Sequence, residues 1–348
     1  MKRNQEFYKG CLLGGAIGDA LGAPVEFLQY EDITNKFGKG GIQDLLCSKS
    51  GKAEITDDTQ MTLFTAEGIL RSETRKYEKG ICNPASVVYY AYQRWLSTQG
   101  YEKSKEQDWI YDGWLFGVKE LHKRRAPGNS CLSGLTSGKQ GTIDEPINSS
   151  KGCGGVMRVA PVGLFYPKER AFKMAADFAA LTHGHPSGYL SAGALAYTIA
   201  SIIEGADIET SVKNSLDELS SYDKNEECYK ALKDAIELSC SDIDPLDAIN
   251  RLGEGWVGEE ALAISVYCAL KYRDSFKEAL IIAVNHNGDS DSTGAITGNI
   301  LGAYLGINGI PKEWIEKVEL KNEIYQIADD LFLGYEEGGN WCNKYPGH

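Results

Sequence analysis

The chain has 348 residues, of which 42% are hydrophobic, and its formal net charge at pH 7 is −13. This size and hydrophobic content suffice for a large buried core, while the negative charge argues against electrostatic capture of extended nucleic acid. Nine cysteines are spread singly, without a Cys-x-x-Cys pair, which argues against a disulfide framework or a structural zinc site and favours reduced thiols in the cytoplasm.

The predicted elements begin with a glycine-rich helix around Gly14–Ala23, in which most residues are Gly or Ala. Each Gly costs a helix about 1 kcal/mol relative to Ala, so this composition indicates close approach to another backbone or to a ligand in the middle of the molecule. The run lacks the Gly-Lys-Ser/Thr ending of a phosphate loop, and it is too short and too broken by glycine to span a membrane. Beyond Pro24, Glu26 is expected in a turn, either solvated or pointing into a cleft.

An acidic cluster, Thr56-Asp57-Asp58-Thr59, precedes apolar residues at helical spacing over 59–72, and a second helix is predicted over 84–99. The cluster has a simple structural explanation, because Asp and Thr are favoured N-caps and acids in the first turn complement the helix dipole.

The Gly-, Ser- and Pro-rich stretch 126–155 is predicted to be a long functional loop. It ends in Ser149–Arg158, where flexible glycines can direct backbone N–H groups at an anion such as a diphosphate. Cys153 with His183 as its base is a conceivable nucleophile, but the sequence identifies no residue that would orient the base.

Val159–Phe165 is the only candidate strand, and the remaining periodic segments predict helices. They lie at 171–182, 188–204, 228–240, 259–272, 276–284 and 292–305. The chain is therefore predicted to be a single all-α domain over residues 1–348. His183 and His185 lie between two of these helices, where a polar cluster at a helix end is favoured over a transition-metal pair. Trp256 is expected near the cleft only because it precedes the helix at 259–272.

A second acidic cluster, Asn287–Gly294, opens the last predicted helix, which is again rich in small residues. Four carboxylates brought together would repel one another unless cations neutralised them. Asp oxygens and Ser or Thr hydroxyls are hard ligands suited to magnesium or manganese. A two-metal site is therefore one hypothesis and a second helix cap is the other, because sequence spacing alone does not show that the two clusters meet.

In this order the motifs resemble the ADP-ribosylglycohydrolase family, of the dinitrogenase reductase-activating glycohydrolase type. The resemblance extends from Gly10 to about Gly309. It is carried by the glycine-rich helix ending in Glu26, Thr56-Asp57-Asp58-Thr59, the loop ending in Met157-Arg158, Thr182-His183, and Gly288-Asp289-Ser290-Asp291-Ser292.

The resemblance implies an orthogonal multi-helix bundle that binds two divalent cations, Mg²⁺ or Mn²⁺. By position, the implied metal ligands are Thr56, Asp57, Asp58, Asp289, Asp291 and Ser292. Glu26 matches the catalytic glutamate, and His183 matches a histidine of the ribose pocket. Ser150, Lys151 and Gly152 fall in the loop that wraps the diphosphate. Some relatives have an aromatic residue in the part of the loop that holds Lys151, so the adenine-stacking partner is not assigned.

The implied function is hydrolysis of the glycosidic bond between ADP-ribose and an acceptor, with ADP-ribosyl-arginine on a protein as the first candidate. Adducts of serine, of a nucleobase or of O-acetyl-ADP-ribose are alternatives. A two-metal phosphohydrolase that cleaves the diphosphate is a different enzymatic interpretation, and an ADP-ribose-binding relative without catalysis is a non-enzymatic one. The expected partner is an ADP-ribosylated protein or a small molecule containing ADP-ribose, with no membrane and no extended nucleic acid.

Overall fold

The computed structural model describes residues 2–348, apart from the side chain of Glu106. Within this range the regular structure is helical, and pairing between extended segments is limited to three isolated bridges. The α-helices are α1 (Gln5–Gly22), α2 (Tyr30–Phe37), α3 (Asp57–Lys79), α4 (Pro84–Thr98), α5 (Asn129–Thr136), α6 (Ala160–Phe165), α7 (Lys168–Ala180), α8 (Pro186–Glu204), α9 (Ile208–Leu219), α10 (Glu226–Ser239), α11 (Pro245–Leu252), α12 (Gly258–Lys271), α13 (Phe276–Val284), α14 (Ser290–Leu305), α15 (Lys312–Lys317), α16 (Lys321–Leu333) and α17 (Gly339–Lys344).

The structure confirms the all-α class and every helix that periodicity predicts. Most boundaries agree within a few residues, and α3 continues to Lys79, where Gly80 in a left-handed conformation ends it. One cluster of buried apolar side chains runs from Tyr8 to Tyr345. None of the described helices combines the length and the apolar character that crossing a membrane requires.

Two predictions between residues 126 and 165 are corrected. The strand at Val159–Phe165 is wrong, because Ala160–Phe165 forms α6. Seven apolar residues are too few for periodicity to separate a strand from a buried helical turn, and Pro161 lies in the first turn of α6, where its missing N–H is tolerated. The stretch 126–155 is not entirely loop, since it contains α5, whose apolar side chains at Leu132 and Leu135 are buried.

The glycine-rich helices α1 and α14 pack antiparallel, backbone against backbone. A Cβ on Gly14 would collide with the carbonyl group of Gly298, and a Cβ on Gly22 would collide with that of Ser290. Every residue of α1 from Gly10 to Gly22 and of α14 from Ser290 to Ala303 is buried. This contact bears out the interpretation by close backbone approach, and it places the end of α1 beside the start of α14.

We expect Gly298→Ala to lower the free energy of unfolding by about 1–3 kcal/mol or more, the usual cost of forcing extra atoms into a packed core. Its new methyl group would meet the backbone of Gly14, which has no side chain that can move aside. Urea denaturation measures the effect. Gly117→Ala is the control, because a Cβ there meets no atom within 4 Å. Equal denaturation midpoints for the two variants would contradict the tight contact of α1 with α14.

Candidate functional site

Both acidic clusters line one cavity of about 450 Å³, which lies where α3 and α14 begin and where the turn after α1 passes. Asp57 and Asp58 contribute from the first cluster, and Asp289, Asp291 and Ser292 from the second. The structure therefore brings together two groups of carboxylates that lie near opposite ends of the sequence. The other lining residues are Glu26, Phe27, Ala126, Pro127, Gly128, Asn129, Ser130, Cys131, Gly152, Cys153, Gly154, Met157, His183 and Trp256.

The start of α3 holds the first group. Thr56 is the N-cap, and its side chain accepts a hydrogen bond from the Asp58 N–H. Asp57 Oδ2 accepts a hydrogen bond of 3.1 Å from the N–H of Gly128. Asp58 Oδ2 is buried without a hydrogen-bond partner, an arrangement that is costly unless another group binds it.

Asp19, near the end of α1, is a site residue that the sequence analysis missed. It is fully buried and accepts hydrogen bonds from the N–H groups of Thr56 and Thr59, at 2.9 and 3.1 Å, and from the Thr59 hydroxyl at 2.5 Å. Asp19 thus ties the end of α1 to the start of α3. The signal available in the sequence was an acidic residue within a stretch of otherwise small or apolar residues.

The start of α14 holds the second group. Asp289 is the N-cap, and the Ser292 N–H donates to it and to Asp291 Oδ1. One oxygen each of Glu26, Asp289 and Asp291 lies within 4.8 Å of the others. Glu26 reaches this position from the turn that follows α1, as predicted for residues beyond Pro24. These three carboxylates are close enough to share a cation.

The carboxyl groups are strongly perturbed. Burial, followed by the charges of Asp291, Asp289 and Asp57, raises the pKa of Glu26 to about 10. Burial and Asp291 raise the pKa of Asp19 to about 7, and they raise the pKa values of Asp57, Asp58 and Asp289 well above the usual range. The unpartnered Asp58 oxygen and the hard oxygen donors around it fit a divalent cation, which would relieve this repulsion.

Of Ser150, Lys151 and Gly152, the residues predicted to wrap the diphosphate, only Gly152 lines the cavity. The backbone of this loop is held against the start of α12, because Lys151 O accepts from the Gly258 N–H at 2.8 Å. The Lys151 ammonium group lies between Glu259 and Glu227, at 2.8 and 3.1 Å. The Ser150 hydroxyl bonds that of Ser130.

His183 lines the cavity and is 1% exposed. Arg158 Nη2 donates to the Thr182 hydroxyl at 2.7 Å, so this hydroxyl can donate its own proton to His183 Nδ1, 2.8 Å away. Burial and the charge of Arg158 lower the pKa of His183 to about 3. The lowered pKa and the Thr182 contact favour a neutral His183 imidazole protonated on Nε2, the ring nitrogen that faces Gly152.

The other predictions for this region have definite outcomes. His185 caps α8 by accepting from the Ser187 N–H, as expected of a polar cluster at a helix end. Burial and Asp289 raise the pKa of Cys153 well above its usual range, which opposes a role as nucleophile. Trp256 borders the cavity, as its position suggested, and stacks on Phe27 with 6.0 Å between ring centroids. Sequence reasoning missed Phe27 and Asn129.

One family model and two relatives with similar sequences carry related descriptions. The family model for ADP-ribosylglycohydrolases matches residues 2–340. An ADP-ribosylarginine hydrolase, Tri1, of Pseudomonas putida is 26% identical over 93% of this chain and 77% of its own. An ADP-ribosyl-[dinitrogen reductase] glycohydrolase of Rhodospirillum rubrum is 27% identical over 92% of this chain and 94% of its own.

A solved structure described as an ADP-ribosylglycohydrolase-related protein complex has a similar fold. Its TM-score is 0.62, with 23% sequence identity over 96% of this chain and 99% of that one.

Proposed function

The chain belongs to the ADP-ribosylglycohydrolase family of hydrolytic enzymes, and from this premise we propose that it removes ADP-ribose from arginine side chains of modified proteins. The observation that carries the proposal is the meeting of Glu26, Asp289 and Asp291 within 4.8 Å in a cavity that Asp57 and Asp58 also line. The choice of arginine is supported by the relative from Pseudomonas putida, which is named for ADP-ribosylarginine. Nine free cysteines support a place in the cytoplasm.

The proposed metal ligands all lie at the starts of α3 and α14. They are Thr56, Asp57, Asp58, Asp289, Asp291 and Ser292, all buried, and they would hold two divalent cations, Mg²⁺ or Mn²⁺. When bound, the cations supply positive charge for developing negative charge and fixed positions for ribose hydroxyls. Asp19 is a positioning residue, because its carboxylate anchors the backbone of Thr56 and Thr59 rather than lining the cavity.

In the proposed mechanism, Glu26 handles the proton transfer that accompanies bond cleavage at the anomeric carbon of the distal ribose. Cleavage of the glycosidic bond develops oxocarbenium character and needs one proton removed from water and one delivered to the leaving group. Glu26 is 8% exposed and lies among the other carboxylates, so bulk solvent does not readily replace it as a proton carrier. Neutral His183 donates from Nε2 to a ribose or phosphate oxygen.

The diphosphate is proposed to lie against the Ser150–Gly152 loop. Gly152 and Gly154 line the cavity beside His183 without a side chain of their own, and substrate oxygens can approach their backbone there. The pairing of Lys151 with Glu259 and Glu227 opposes a contact between Lys151 and a phosphate, since Lys151 would have to give up two carboxylates.

The test is a hydrolysis panel of ADP-ribosyl-arginine, -serine and -nucleobase substrates and O-acetyl-ADP-ribose, with Mg²⁺, Mn²⁺ or a chelator. We expect free ADP-ribose and unmodified arginine as products, and no turnover with chelator. AMP with ribose phosphate would favour cleavage of the diphosphate instead. Tight ADP-ribose binding without turnover of any substrate would favour a non-catalytic relative.

Stability without metal is expected to fall as the pH rises. Because the pKa of Glu26 is raised to about 10 and that of Asp19 to about 7, the folded protein keeps protons that the unfolded chain has already lost. The stabilisation that these protonated groups contribute is complete below their pKa values in the unfolded chain, which are about 4. It is largely gone for Asp19 by pH 7, and for Glu26 it continues to be lost up to about pH 10. His183 does not reverse the trend above pH 7, since its lowered pKa reduces stability only below about 6.5.

Thermal unfolding in Mg²⁺ and in chelator, at pH 7 and at pH 9, measures this effect. We expect the gain in Tm from Mg²⁺ to be larger at pH 9, because the cation stabilises the ionised carboxylates. A gain that stays constant or shrinks would contradict cation binding by this cluster.

A further inference from the structure

The thiol of Cys153 lies among the side chains proposed as metal ligands. Cys153 donates a hydrogen bond from Sγ to Asp289 Oδ2 at 2.7 Å, and the Ser292 hydroxyl donates to Sγ at 3.6 Å. Sγ is therefore in contact with two of the proposed ligands.

The backbone at Cys153 is held in place by neighbouring segments. The Cys153 N–H donates to the carbonyl group of Trp256 at 3.1 Å, and the 3₁₀ turn Cys153–Gly155 follows directly. Gly154 and Gly155 are closely surrounded by His183 and by the backbone of Gly188. The backbone that carries the Cys153 side chain is thus held beside the cavity.

A second observation points to a ligand at the same place. Asp58 is 3% exposed, lines the cavity with Cys153, and has an oxygen, Oδ2, that no hydrogen-bond donor satisfies. A buried carboxylate oxygen without a donor needs a cation or a water beside it. Asp58, Cys153 and Asp289 line the same cavity, and within it Cys153 Sγ contacts a carboxylate oxygen of Asp289.

We propose that Cys153 Sγ is a ligand position of the metal centre, which allows the centre to bind soft or borderline divalent cations such as Co²⁺, Zn²⁺ and Cd²⁺ in addition to Mg²⁺ or Mn²⁺. The proposal rests on the metal centre of the proposed function. Carboxylates and hydroxyls alone select hard cations, whereas a thiolate adds strong affinity for softer ones. On ligation the metal replaces the S–H proton, which leaves to solvent.

Cys131 provides a matched control in the same cavity. Its thiol also lines the cavity and is buried, but its hydrogen-bonding neighbour is the Arg158 guanidinium group, whose Nη1 lies 3.4 Å away. A neighbouring positive charge opposes binding of a cation. A Cys131 variant therefore tests whether any thiol that lines the cavity can act as the metal ligand.

The experiment titrates the full-length, chelator-treated protein with Co²⁺ while the near-ultraviolet absorption and the heat of binding are recorded. We expect a thiolate-to-cobalt charge-transfer band that saturates with the binding isotherm. Cys153→Ser should lose the band and bind Co²⁺ and Cd²⁺ at least about ten-fold more weakly, while Mg²⁺ should still raise its Tm because the carboxylates that bind hard cations remain. Cys131→Ser should keep both the band and the affinity. Should Cys153→Ser lower the Tm of the metal-free protein, Cys153→Ala repeats the test without the added hydroxyl.

Two outcomes overturn the proposal in distinguishable ways. Binding of Co²⁺ by the wild-type protein without the charge-transfer band, or a band that survives in Cys153→Ser, excludes the thiol and leaves the proposed function intact. Absence of binding for both Co²⁺ and Mg²⁺ removes the metal centre itself, and with it the proposed function.

Discussion

Glu26→Gln is expected to lower kcat by about 10²- to 10⁴-fold, the usual contribution of a positioned proton-transfer group. The amide keeps the size of the side chain and one carbonyl oxygen but cannot exchange a proton at neutral pH. Glu26 lies within 4.8 Å of Asp289 and Asp291 as measured between carboxylate oxygens. The remaining oxygen of Gln therefore preserves contact with a shared cation, and metal content should be retained.

Turnover of ADP-ribosyl-arginine and metal content by elemental analysis separate these two effects. Glu145→Gln is the control, since Glu145 is an exposed loop residue outside the cavity lining. An active Glu26→Gln enzyme would end the catalytic assignment. An inactive variant that has also lost its metal would assign Glu26 to cation binding instead.

Asp291→Asn is expected to abolish activity and metal binding while it raises the stability of the metal-free protein. The charge of Asp291 contributes to the raised pKa of Glu26, Asp57, Asp58 and Asp289, so it lies at the centre of the mutual repulsion. Asn removes this charge without changing the shape of the side chain. A ligand at a hundred times its Kd stabilises a protein by about 2.7 kcal/mol, and this gain should be lost.

Tm values in chelator and in Mg²⁺ give both parts of the prediction for Asp291→Asn. In chelator at pH 8 the variant should melt above the wild-type protein, and Mg²⁺ should no longer raise its Tm. Asp177→Asn, in which an exposed ion pair with Lys173 is removed, should behave like wild type in Mg²⁺. Full metal occupancy in Asp291→Asn would contradict the proposed ligand set.

The helical class and most helices were predictable from sequence because their apolar residues recur at helical spacing over several turns. Short segments were not predictable in this way, since α6 has only one and a half turns of apolar residues and its conformation depends on burial against α8. The Thr56 and Asp289 caps were recognisable because they depend on local contacts alone. A capping side chain bonds to its own helix start within three residues.

The site was predictable only in part, since its ligands meet through tertiary packing. Nothing in the spacing of Asp57 and Asp291 indicates that they share a cavity, and it is the register of α1 against α14 that places Gly22 beside Ser290. Asp19 was overlooked because its partners are backbone N–H groups of another helix. The pairing of Lys151 with Glu259, on α12, likewise depends on a contact between distant segments.

The antiparallel pair of α1 and α14 also constrains when activity can arise during synthesis. Asn299 on α14 donates to the Cys11 carbonyl group across 288 residues of sequence. At about 5–20 residues per second, α1 leaves the ribosome roughly 15–60 s before its partner. Throughout this interval its glycine-lined face has no backbone to pack against, and Glu26 has no Asp289 or Asp291 beside it. A nascent or truncated chain that lacks α14 should therefore be unable to hydrolyse substrate, however well its other helices have folded.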